Sequence, residues 1–208
     1  NLFAASEFYD YAQHRGIKPI IGMEAYLTPS DHAYFSRSLP LFHLVLLARN
    51  DVGYMNLVKL ASLAYIEGFY YKPRIDFNQL EKYSEGLIAL SSCIAGEVSR
   101  KLLEEDEEGA VAAIKNYQRI FGKDNFYVEI QNHGIPEQIK ILNPLVKVAR
   151  LCDAPTVATN DAHYAKSEDW LAQDLLMCMW TNSLFNDKHR FKFSSKEFYL
   201  KSVQEMKS

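Results

Sequence analysis

No apolar run in these 208 residues approaches the roughly 20 residues that a helix needs to cross a bilayer, and the first residues do not resemble a secretory signal. Cysteine is scarce and odd in number, and Cys93, Cys152 and Cys178 lack disulfide-like spacing. A stapled extracellular scaffold is thereby excluded, and a reducing, cytosolic compartment is expected. Charge of one sign is also lacking: 23 basic against 26 acidic residues leave a net of −3, which argues against a broad nucleic-acid-binding surface but leaves room for a local basic patch. No glycine-rich phosphate loop follows any strand-like run, which excludes a nucleotide-binding Rossmann domain. What is abundant is apolar surface, 48% of residues, enough to bury a sizeable core as one domain or as a domain with a tail.

Taken in order, the chain alternates. Phe3, Phe8, Tyr11 and Ala12 recur at helical spacing and Gly16 closes the helix. The run from Pro19 to Leu27 is a buried strand, and residues 28 to 40 are a loop carrying His32, a surface histidine. Leu41 to Ala48 is a second strand. Asp51 to Ile66 is a helix with Met55, Val58, Leu60 and Leu63 turned inward. It leads to an aromatic and basic loop, Gly68 to Arg74, stiffened by Pro73. Lys72 and Arg74 there fit phosphate contacts, and equally ordinary solvated charges. A short helix at Phe77–Tyr83 precedes a strand at Gly86–Cys93. Helices at Gly96–Glu104 and Glu107–Phe121 follow, then a strand at Asn125–Ile130 and a helix from Pro136 to about Cys152. The strand Val157–Thr159 then runs into Asn160-Asp161-Ala162-His163-Tyr164. This alternation predicts parallel strands with helical crossovers, an α/β barrel or open doubly wound sheet, with functional side chains gathered at the strand carboxyl ends.

Most of the chemistry-bearing residues fall at those ends. Asp161 and His163, two apart on an extended strand, would share one face, and a carboxylate beside an imidazole suits zinc or manganese. Glu24 interrupts an apolar strand, so it is paired, metal-bound or turned to a solvated side. His43 sits near the start of the second strand and Cys93 at the end of another, as a thiolate ligand or as an inert buried thiol. Taken singly each has a structural reading. Together they lie on four different strand-like runs, which scattered structural residues rarely produce.

The blocks Gly22-Met23-Glu24, Phe42 to Ala48, Glu67 to Asp76, Glu85 to Cys93, Glu129-Ile130-Gln131-Asn132-His133-Gly134 and Ala158 to Tyr164 closely resemble the PHP (polymerase and histidinol phosphatase) domain found at the amino end of bacterial DNA polymerase III alpha subunits. The resemblance continues to about Met206 and includes Phe198-Tyr199-Leu200-Lys201-Ser202. It implies a distorted seven-stranded (β/α) barrel with a divalent metal cluster, Zn2+, Mn2+ or Fe2+, at the strand ends. Glu24 resembles the carboxylate that bridges two ions, with His43 and Cys93 completing one site, Asp161 serving a second ion and His163 a third. Glu129 and His133 are possible ligands or supports of ligands.

The family opens with a strand bearing a His-x-His pair, ahead of the block Asp-His-Gly-Asn-Leu, and this chain starts at the Asn-Leu of that block. An amino-terminally truncated barrel without its first strand is therefore expected, with 1–180 as the domain and 181–208 as the connection towards the polymerase body. The activity implied is metal-dependent phosphoester hydrolysis, 3'-to-5' exonuclease proofreading in a replicative DNA polymerase, with Asp161, His163 and Glu24 as catalytic residues. A PHP-type phosphatase is a neighbouring possibility. The non-enzymatic alternative is a structural platform. Implied partners are DNA, the rest of the alpha chain, an epsilon-type proofreading subunit and other holoenzyme subunits.

Overall fold

The computed structural model describes residues 1–29 and 40–207, so the expectation for His32 lies outside the described residues. Among those residues seven α-helices, α1 (Ala5–His14), α2 (Asp51–Ile66), α3 (Phe77–Lys82), α4 (Glu97–Leu103), α5 (Glu107–Phe121), α6 (Pro136–Leu151) and α7 (Trp170–Thr181), flank one mixed sheet. Its strands are β1 (Gly22–Thr28), β2 (Phe42–Ala48), β3 (Phe69–Tyr70), β4 (Lys72–Asp76), β5 (Leu87–Leu90), β6 (Phe126–Ile130) and β7 (Thr156–Ala158), in the order β3-β4-β1-β2-β5-β6-β7. β3 is a two-residue strand that only closes a hairpin on β4, so six strands form the body of the sheet. No ladder joins β7 to β3 among the described residues, and the sheet is open.

Not all strands are parallel. β1 with β4, β5 with β6, and β6 with β7 are parallel, but β2 is antiparallel to both of its neighbours. Antiparallel strands need no helical crossover, whereas parallel ones do; α4 and α5 lie between β5 and β6, and α6 between β6 and β7. The reversal has a consequence for chemistry. It brings the amino end of β2 to the rim where the other strands have their carboxyl ends.

Helix starts follow local rules. The Asn50 side chain accepts from the Gly53 amide, Asp106 accepts from the Gly109 amide, and Asp76 with Gln79 forms a capping box on α3. Gly53 also permits a close approach, because a Cβ there would stand 1.9 Å from the Gly86 carbonyl oxygen. The inward face of α2 is Gly53, Leu57, Leu60 and Ala64; Met55, expected inside, is 63% exposed because it stands on the opposite side of that stripe. The core runs between sheet and helices through Leu27, Leu44, Leu46, Leu60, Ile114 and Val128, each at most 1% exposed. Tyr117 on α5 stacks on Phe126 with ring centroids 5.0 Å apart and donates to Glu97 Oε2 at 2.7 Å.

The segment 68–74 is a hairpin rather than a loop. Tyr71 turns it with φ 60° and pairs flank it at Tyr70–Lys72 and Phe69–Pro73. The segment beyond α7 makes contacts back onto the domain. Phe198 is buried, Tyr199 bridges to Tyr164, and Arg190 grips Asp174 with two bonds of 2.6 Å. Among the described residues no helix is long and apolar enough to cross a membrane.

Candidate metal centre

Strand register explains the first contact. Glu24 pairs with Val45 across β1 and β2, and His43, two residues on, shares the face of Val45. Glu24 and His43 are therefore diagonal neighbours, with Glu24 Oε1 3.0 Å from His43 Nδ1. The His43 amide donates to Ala95 O in the loop after β5, and that loop brings Cys93 Sγ to 3.7 Å from the same Nδ1. Ser92, held at φ 65°, donates to Glu24 Oε1 at 3.3 Å.

Carboxylate oxygen, imidazole nitrogen and thiol sulfur all lie within 4.8 Å of one another. With bonds of about 2.0–2.3 Å to a zinc-like ion, neighbouring donors of a tetrahedral centre stand about 3.3–3.8 Å apart. The His43–Cys93 spacing of 3.7 Å lies in that range and the Glu24–His43 spacing of 3.0 Å a little below it, and the oxygen, nitrogen and sulfur donor set suits zinc. The hydrogen bond to Cys93, then that to Glu24, pushes the His43 pKa up to about 9 against the opposing effect of burial. Burial raises the Glu24 carboxyl, but the His43 and Ser92 contacts outweigh it and hold the group below its usual value.

Asp161 and His163 line the same cleft of about 510 Å3 as Glu24, His43 and Cys93, without joining the three-atom cluster. Their shared strand face is not how they come together. β7 ends at Ala158, and Asp161 lies beyond it in the left-handed region at φ 43°. His163 Nδ1 meets the Asp161 carbonyl at 2.7 Å, closer than the Asp161 carboxylate at 3.9 Å. Nδ1 is therefore the proton donor, which leaves Nε2 as the atom able to ligate or to accept a proton. Burial raises the Asp161 pKa, with Glu24 adding to the effect and His163 opposing it.

Glu129 is 4% exposed, and its Oε1 accepts from Thr159 Oγ1 at 2.7 Å while Oε2 has no hydrogen-bond partner among the described residues. Burial pushes its carboxyl up, and the charges of Asp161 and Glu24 push it further. Three carboxylates crowded so that two resist ionisation form a place a divalent cation would relieve. The donor chemistry and the orphaned oxygen both fit the metal that the sequence led us to expect.

His133 is 1% exposed with both ring nitrogens engaged, Nε2 on Asn160 O at 2.9 Å and Nδ1 on Gln138 Nε2 at 2.8 Å. The carbonyl must accept, so Nε2 carries the proton and Nδ1 accepts from the amide. This histidine braces the Asp161 turn from behind.

A family model described as "PHP domain" matches residues 1–133. The chain belongs to the PHP domain family.

Its curated relatives include the DNA polymerase III subunit alpha of Borreliella burgdorferi, 46% identical over 99% of this chain and 18% of the relative. Those of Treponema pallidum (43% identical, 99% of this chain, 18% of the relative) and Thermus aquaticus (44%, 100% and 17%) are similar. The chain thus spans less than a fifth of the length of these relatives.

Two expected phosphate contacts separate in this PHP chain. Arg74 is 1% exposed, its Nε donates to Gly68 O at 3.1 Å and its guanidinium lies 5.3 Å from the Tyr70 ring centroid, so it holds the β3–β4 hairpin to the end of α2. Lys72 Nζ instead lies 5.2 and 5.5 Å from the Tyr26 and Trp180 ring centroids, on a cavity that Glu24 also lines.

The sequence reading passed over Thr159, Asn160, Gln138, Phe193 and Phe198. Asn160 Nδ2 donates to Glu197 O at 3.0 Å and to Tyr199 O at 2.6 Å, and the His163 amide donates to Phe198 O at 2.7 Å. Phe198 stacks on His133 at 4.2 Å between ring centroids. The Asn directly before Asp161 was the one available signal.

Proposed function

We propose that this chain is the PHP portion of a bacterial replicative polymerase, the DNA polymerase III alpha subunit, and that its cleft hydrolyses phosphoester bonds as a metal-dependent 3'-to-5' exonuclease. On this reading residues 1–180 are the PHP unit, its sheet part of a distorted seven-stranded barrel, and 181–208 connect towards the polymerase body. DNA, the rest of the alpha chain, an epsilon-type proofreading subunit and other holoenzyme subunits are its partners, in the cytoplasm.

The observation that carries the proposal is the Glu24–His43–Cys93 trio, three donors within 4.8 Å at one rim of the sheet. Divalent ions held there and by Asp161 and His163 would supply activation of water and charge stabilisation on the phosphoryl oxygens. The protein's own part is positional. Glu24 bridges the His43 side and the Asp161 side of the cleft, His43 and Cys93 fix one wall, and Glu129 sets the Thr159–Asp161 turn through Thr159. His163, with Nδ1 committed to the Asp161 carbonyl, offers Nε2 to a ligand or a proton, and Lys72 is the cation placed for a backbone phosphate.

Single-stranded DNA with a free 3' end should be shortened in a metal-dependent way, and Asp161→Asn should abolish this with the fold intact by circular dichroism. Equal cleavage by both proteins sinks the catalytic reading. A platform role is favoured by a different observation: α7 leaves Leu175, Leu176, Met179 and Trp180 exposed, an apolar face suited to docking.

A further inference from the structure

The run Lys188-His189-Arg190-Phe191-Lys192-Phe193-Ser194-Ser195-Lys196 is used by neither the core nor the metal trio. It holds four Lys or Arg and no Asp or Glu, in a chain whose net charge is −3. Arg190 is structural: its side chain is 5% exposed and both terminal nitrogens bond Asp174 at 2.6 Å, which fastens the run to α7. Lys188, Lys192 and Lys196 make no salt bridge with the described residues. Their charges remain available to an outside anion.

Lys192 and Lys196 line a built concavity. A second cavity of about 460 Å3 adjoins the metal-bearing cleft and shares Lys192, Phe193 and Ser194 with it as a common wall. Lys196 Nζ lies 3.6 Å from the Trp170 ring centroid on the far side. Phe185, 44% exposed, lines the second cavity, and Phe191, 60% exposed, lines the cleft. Cation and aromatic ring alternate along the run, Arg190, Phe191, Lys192, Phe193. That alternation matches a polymer whose phosphates alternate with flat bases, and single-strand binders combine a cationic track with stacking rings in the same way. An acidic peptide supplies the charge but no flat partner for the rings.

We propose that this second cavity is a binding subsite for single-stranded DNA, with Lys192 and Lys196 on backbone phosphates and Phe185 against a base, and that the strand passes over the shared wall into the cleft, where Phe191 meets a further base. The direction of the strand, 3' end in the cleft, rests on the nuclease reading given above. The subsite itself does not.

The test is photocrosslinking of an oligothymidylate carrying 5-iodouracil, done in EDTA so that no cleavage intervenes, with crosslinked peptides identified by mass spectrometry. Crosslinks should map to peptides containing Trp170, Phe185 or residues 191–193. The Lys192→Glu/Lys196→Glu pair should lower both yield and affinity at least tenfold, and the milder Lys192→Ala/Lys196→Ala pair should give an intermediate loss with a shallower salt dependence. Crosslinks confined to other peptides, yields unchanged in both double variants, or displacement by polyglutamate as efficient as by unlabelled oligothymidylate would overturn the proposal. Because the assay is metal-free, loss of the nuclease activity leaves it unaffected, and its failure leaves the Asp161→Asn comparison standing.

Discussion

The wedge of α4, α5 and α6 against β5 and β6 and the rim formed by residues 159–200 are built on opposite principles. In the wedge Val98, Ala110, Ile114, Phe126, Val128 and Val148 are all fully buried, and the Tyr117 hydroxyl finds Glu97 beside them. At the rim few side chains are buried, and order comes from polar and ring contacts: Asn160 to the 197–199 backbone, Arg190 to Asp174, Phe198 to His133 and His163. Apolar burial supplies stability without direction, whereas hydrogen bonds and ring contacts fix individual groups in place. The wedge therefore tolerates volume-conserving change, and the rim depends on particular atoms.

Truncation should expose this difference most. Ile114→Ala removes fully buried volume and should cost about 2–5 kcal/mol in urea unfolding, while Trp180→Ala, at a side chain 75% exposed, should stay within about 0.5 kcal/mol. Equal costs at the two sites would erase the contrast.

Next in size is Asn160→Ala, which leaves every proposed ligand in place but unties the Asp161 turn from the 197–199 backbone. Partners that orient ligands typically govern affinity by about 10–100-fold, so zinc titration should show a loss of that order with little change in unfolding midpoint. A large fall in stability with unaltered metal affinity would assign Asn160 to the fold instead.

The smallest effect is expected at Glu97, a partly buried acid of the wedge. Burial raises the Glu97 pKa against the opposing bond from Tyr117. A raised folded pKa means that its contribution to stability is present below the unfolded value of 4.5 and is lost as pH rises through the folded value. Glu97→Gln keeps an acceptor for Tyr117 without the charge. It should raise the melting midpoint modestly at pH 7, and the gain should vanish below about pH 4.5. A gain that persists at acid pH would mean that shape rather than charge is responsible.

The sequence alone determined α1 to α6 and five of the strands, but not α7 or the β3–β4 hairpin, because apolar period, caps such as Asn50, Asp76 and Asp106, and Pro136 at the start of α6 act within a few residues. It also marked Glu24, His43, Cys93, Asp161 and His163, since each is chemically out of place in or beside an apolar run. Tertiary structure alone decided which of these meet. The reversal of β2 and its register put His43 diagonal to Glu24, and a loop rather than a strand face delivers Asp161 and His163. It likewise buried Arg74 while leaving Lys72 on the cavity wall, two cations two residues apart with opposite fates. Local chemistry repeats along the chain and can be read there, but strand direction depends on partner strands tens of residues away, and the enclosure of a side chain on how separate elements pack, neither of which a local pattern encodes.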